Sequence, residues 1–244
     1  MRMTSHAAIR SLKSTVILPI VALVAVTACD KDKPPEPAEI AAHMSEHFSR
    51  AADLQRAVVN GDMEAVEGTA NWLAEHSKMS AAPASWDPYL AEMRAAAEVA
   101  AGSPDLYTAA KATARVGAAC GDCHRGHGAT VKFSIDGALA EGGDTEAHMN
   151  RHVWASARLW EGLVVPSAEV WQTGAKALDE VPLVPEEVTD DDELMTEIQL
   201  TANRVHELGA AARQALDPDM RAATYGELLA TCSRCHSAAG AGQI

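Results

Sequence analysis

Two Cys-x-x-Cys-His runs, "CGDCH" at 120–124 and "CSRCH" at 232–236, constrain this chain more than any other feature. They lie 112 residues apart. Upstream of each is a second matched run, "HMSEHF" at 43–48 and "HMNRHV" at 148–153, and Leu54 matches Leu159 at the same offset of 105. The chain therefore reads as two similar halves of domain size, at about 38–133 and 144–244. The segment "SIDGALAEGG" joins them, since boundaries fall in Gly-rich polar stretches.

Each half reads as helical. Hydrophobic residues make up 48% of the 244 residues and aromatics only 4%, alanine abounds, and alternating β-branched runs are scarce, which favours helix over sheet. In the first half a helix ends at Gly61, Asp62 caps "MEAVEGTANWLAEH", Asp87-Pro88 opens a third helix and Ser103-Pro104 a fourth. The second half repeats the scheme with helices from Asp144 to about Leu163, after Pro166-Ser167, from about Asp192, and from Asp217-Pro218. The acidic, proline-marked run "VPLVPEEVTDDDE" between its second and third helices reads as a solvated loop. Four helices with short connections pack as an antiparallel bundle, so the expected fold is all-α: two tandem four-helix bundles.

The first 28 residues stand outside that fold. Arg2, Arg10 and Lys13 precede "VILPIVALVAV", which is short for a membrane span and suits the apolar core of an export signal. The run ends in "VTAC", which resembles a lipoprotein box. This makes Cys29 the expected lipidation site and membrane anchor, residues 1–28 a cleaved lipoprotein signal peptide, and residues 29–37 an extended charged, proline-rich tether. The expected location is the periplasmic face of a membrane; Asp30 after the cysteine points to the cytoplasmic membrane. The whole chain carries a net charge of −14, and loss of the three basic groups of residues 1–28 leaves −17. Such a surface argues against nucleic acid as a partner and favours redox proteins with basic docking surfaces.

Paired Cys-x-x-Cys motifs serve zinc, a redox dithiol, structural disulfides, or a covalently attached c-type haem. Zinc would need Cys120, Cys123, Cys232 and Cys235 to converge from two halves, and a dithiol lacks a βαβ context. Only the haem reading uses the histidine that follows each pair. It makes the cofactors two haem c, with thioether attachment at Cys120, Cys123, Cys232 and Cys235 and iron ligation by the proximal His124 and His236. After His236 only "SAAGAGQI" remains, with no side chain able to ligate iron, so a sixth ligand of the second haem must come from upstream. The first half is expected to follow the same arrangement.

A Cys-x-x-Cys-His motif ending the last helix of a four-helix unit of this size resembles the cytochrome c-prime superfamily, here as a fused tandem covering most of the mature chain. That resemblance implies that the fourth helix of each half carries the haem and that a first-helix residue faces its distal side. In that superfamily the distal residue is methionine in electron-transferring members and apolar in gas-binding ones. This chain departs from the usual single methionine, because each "HMxxH" offers Met and His one turn apart. Ile40, Met44, His47, Ala51, Leu54 and Val58 form one apolar stripe at helical spacing, so Met44 and His47 share it. A histidine on such a stripe costs more to bury than a methionine, which favours His47 and His152 as distal ligands over Met44 and Met149.

His43 and His148 lie at the stripe's edge and His127 lacks a counterpart in the second half, which suits propionate contacts or solvent. Trp72, Trp86, Trp154, Trp160 and Trp171 read as core or haem-wall residues. The sequence thus predicts a membrane-anchored dihaem electron carrier and not an enzyme. A five-coordinate protein binding nitric oxide or carbon monoxide is the alternative, with a dihaem peroxidase behind it because no catalytic acid and base stand out.

Overall fold

The computed structural model describes residues 35–76, 79, 82–131, 137–179 and 183–240. The signal segment, Cys29 and most of the tether lie outside the described residues. Among these residues the eight α-helices are α1 (Pro37–Val59), α2 (Met63–Glu75), α3 (Asp87–Ala101), α4 (Leu106–Gly126), α5 (Thr145–Val164), α6 (Ala168–Ala177), α7 (Asp192–Gln214) and α8 (Pro218–Ala238). Among the described residues there is no strand, and no helix is long and apolar enough to cross a membrane. The chain is all-α.

Local chemistry sets the helix starts. Asp62, Asp105, Asp144, Ser167, Asp191 and Asp217 each occupy an N-cap and accept a hydrogen bond from a backbone N–H of the first turn. Ser103-Pro104, expected to open the fourth helix, instead precedes its cap: Asp105 accepts from the Thr108 N–H at 2.7 Å. The acidic connection between α6 and α7 contains one short 3-10 turn, Pro185–Glu187.

Helices α1–α4 fall in the first repeat and α5–α8 in the second. Within the first, α1 packs on α2 and α4, and α3 lies between α2 and α4; α5–α8 repeat this order of neighbours. The described residues nevertheless form one compact unit, because α4 packs on both α8 and α5, and α1 packs on α8. One apolar core runs from Leu54 and Val58 through Val116 to Leu159, Trp171 and Leu229. Tyr225, buried on α8, donates its hydroxyl to Gln55 Oε1 of α1 at 2.9 Å and meets Ser156 Oγ of α5 at 3.0 Å.

Small residues make this approach possible. A Cβ at Gly226 of α8 would lie 2.9 Å from Lys111 Cα of α4. On α4, a side chain at Gly117 would overlap the Trp160 indole, and one at Gly121 would overlap the Leu163 carbonyl oxygen. At the rim, Arg115 pairs with Asp219 at 2.6 Å and Tyr107 donates to Glu227 at 2.6 Å, but such exposed pairs contribute little. Close backbone packing therefore dominates the joint between the repeats.

Gly121→Ala should lower stability by about 1–3 kcal/mol through overpacking against backbone. Gly68→Ala, at a helical site with nothing within 4 Å of the added Cβ, should be neutral or stabilising by about 0.5–1 kcal/mol. Thermal unfolding of the two variants checks this; equal effects would contradict the close approach.

Candidate functional site

The end of α4 builds the first site. Cys120, Cys123 and His124 fall at i, i+3 and i+4 and so share one face of its last turns. All three line a cavity of about 510 Å³, a volume within the range of small-molecule and cofactor sites. Its opposite wall is α1, with Ile40, Met44, His47 and Ala51, while Tyr89 and Met93 enter from α3. Trp160 and Val164 close it from α5, in the other repeat. The structure thus brings His43, Met44 and His47 to the same cavity as the first cysteine motif.

The orientation of His124 is fixed by that other repeat. Its Nδ1 lies 2.7 Å from the Val164 carbonyl oxygen. A carbonyl only accepts, so Nδ1 carries the proton and Nε2 keeps its lone pair. An outer hydrogen bond of this kind fixes the tautomer of a metal-binding imidazole.

His47 is held differently. Its Nε2 donates to the His76 carbonyl at 2.8 Å, leaving Nδ1 as the nitrogen with a lone pair. Its ring lies 4.2 Å from that of His43 and meets Trp72 edge-on at 5.4 Å, and Trp72 stacks on His76 at 4.6 Å. Burial, and next the neighbouring His43, hold its pKa below the ordinary imidazole value. Met44 lines the cavity with no comparable tether. His127 caps the C-terminus of α4 on the cavity rim, its ring 5.6 Å from Tyr89 and 6.3 Å from Trp86.

Cys120, Cys123 and Cys232 have the character of inert thiols. Desolvation, and next the adjacent cysteine, push Cys120 and Cys232 up to about 12, and burial raises Cys123 as well. A redox-active dithiol needs the opposite shift. Cys120, Cys123, Cys232 and Cys235 form no disulfide with one another, and among the described residues they do not gather into one metal-binding group. This weighs against the dithiol and four-cysteine zinc alternatives.

The second site uses the same scaffold with different side chains. His236 is on α8, and its buried Nδ1 has no hydrogen-bond partner, unlike that of His124. His152 is buried to the point that its pKa falls to about 3, chiefly by desolvation and then by His148, His206, Arg151 and His236. His152 and His236 thus stand within electrostatic reach of each other. Met149 packs against Leu183, Ile198 and Ala202.

His206, on α7, is a site residue that the motif reading missed. Its Nδ1 donates to the Leu178 carbonyl at 2.7 Å, and its ring lies 5.6 Å from that of His152 and 6.0 Å from that of His148. A signal was present: the 112-residue offset maps His206 onto Arg94, which donates to the Ala74 carbonyl at the matching corner. Val164 was also missed, and Trp160, expected as a core or wall residue, borders the cavity of the other repeat. Trp154 and Trp171 bond elsewhere, to the Gly137 and Ala212 carbonyls.

In the absence of bound metal, protonation of His152 favours the unfolded chain, whose imidazole titrates near 6.5. Stability should therefore be level above that pH and decline as pH falls from 6.5 towards 3. Denaturant midpoints should follow this course, and His152→Gln should make the decline shallower, with His43, His47 and His236 supplying the rest; an unchanged slope would contradict the burial. No protein-family model matches the chain, and no curated protein or solved structure matches it, so the function is argued from these residues and their geometry.

Proposed function

We propose that this chain is a dihaem c-type cytochrome that carries electrons between redox proteins, built as two fused four-helix units of the cytochrome c-prime kind. The observation that carries the reading is the first site: Cys120, Cys123 and His124 share one helix face, border a cavity of about 510 Å³, and leave the His124 Nε2 lone pair available. The donor set fits haem c: two thiols for thioether attachment, an oriented imidazole, and an apolar wall. In the second site Cys232, Cys235 and His236 supply the same groups. Bound there, each haem would supply a one-electron iron couple whose potential depends on its axial ligands and surroundings.

The chain's own residues then attach, orient and shield. The Val164 carbonyl holds the His124 ring in register, and Trp160, Phe48 and Met93 border the first cavity. Met44 is favoured as the sixth ligand in this half, because the bond to the His76 carbonyl occupies His47 Nε2 and leaves that residue only Nδ1 to offer. His152 and Met149 are the candidates in the second half. Lipidation of Cys29 would tether the protein to the periplasmic face of a membrane, and its acidic surface would steer basic partners.

Gas binding is the second reading, favoured by the same tether on His47: if Met44 also stays off the iron, the first distal face is open to carbon monoxide or nitric oxide. Absorption spectra of the haem-loaded protein, oxidised and reduced, decide between the two. Electron carriage predicts low-spin spectra that carbon monoxide leaves unchanged, and Met44→Ala should make one of the two haems reactive to it. Wild-type spectra that shift with carbon monoxide would overturn filled sixth sites and favour gas binding.

A further inference from the structure

The second repeat brings together three imidazoles that the first cannot match. His148 and His152 are one turn apart on α5, their rings 4.3 Å apart, and His206 joins them from α7. One nitrogen from each lies within 4.8 Å of the others. Among the described residues this is the only such group of histidine, cysteine or acidic ligands.

The arrangement has the chemistry of a metal centre. His206 donates Nδ1–H to the Leu178 carbonyl, which fixes its tautomer and leaves a buried Nε2 with no hydrogen-bond partner. That is the outer-sphere arrangement of ligating histidines. Three ligands at about 2.0–2.1 Å from one ion stand closer together than the 4.8 Å within which these nitrogens lie, so the cluster would tighten around a bound ion. Imidazole donors suit zinc, copper and nickel, and three histidines with a fourth position open is an established zinc geometry. In the first repeat Arg94, which has no lone pair to offer a metal, takes the place of His206.

We propose that His148, His152 and His206 form a binding site for one divalent transition-metal ion of the zinc class. The proposal does not rest on the haem reading. It does assign His152 to that ion, which leaves Met149 as the residue of α5 for the second haem iron.

Zinc titration of the exported full-length protein, stripped with chelator and followed by calorimetry and elemental analysis, tests this. One zinc per chain is expected, weakened at least about tenfold in His206→Ala and in His148→Ala and unchanged in His76→Ala, which removes an exposed histidine outside the cluster. Haem content and the helical circular dichroism signal are read on the same samples, so a variant that fails to fold is recognised, and the other then carries the test. Absent binding, or binding indifferent to both substitutions, would overturn the proposal. Zinc uptake without haem would uphold it while sinking the cytochrome reading, and haem without zinc would do the reverse.

Discussion

Both cysteine motifs depend on how closely α4 can approach its neighbours. Gly117 and Gly121 let α4 meet Trp160 and the Leu163 carbonyl, and Gly226 lets α8 meet Lys111. With side chains there the two repeats would stand apart. The approach brings the end of α5 beside the end of α4, where the Val164 carbonyl can hold His124. Each half supplies part of the other's environment, and the first cavity needs Trp160 and Val164 from the second repeat.

The repeats share a backbone plan yet present unlike polar groups. His124 is bonded to a carbonyl while the buried His236 Nδ1 is not. His47 is bonded to the His76 carbonyl, whereas His152 lies among His148, His206 and His236. Hydrogen bonding to a ligating histidine alters its basicity, so two iron centres held this way would differ in potential.

The helices were legible because their signals are local: an aspartate or serine at six of the eight described N-caps and an apolar stripe behind it. The one misplaced start, Asp105 in place of Ser103-Pro104, came from two capping signals within three residues, with the hydrogen bond to Thr108 deciding between them. The stripe holding Met44 and His47 was also legible, and both line the cavity. Periodicity marks a buried face without naming what covers it, so the shared core and the part of Val164 could not be read in advance, and Trp160 was legible as a core or wall residue but not as part of the other repeat's cavity. The bond to His124 comes from a backbone carbonyl, which no residue type announces. His206 could have been found, since the repeat offset singles it out against Arg94.

The central claim is that both cysteine motifs carry covalently attached haem. The most direct measurement is the intact mass of the mature protein exported from a bacterial host that assembles c-type cytochromes, with Cys120→Ala/Cys123→Ala and Cys232→Ala/Cys235→Ala variants beside it. The account predicts the added mass of two haems on the wild-type chain and of one on each variant. A wild-type chain bearing no haem mass, with all four thiols free to alkylate, would contradict it.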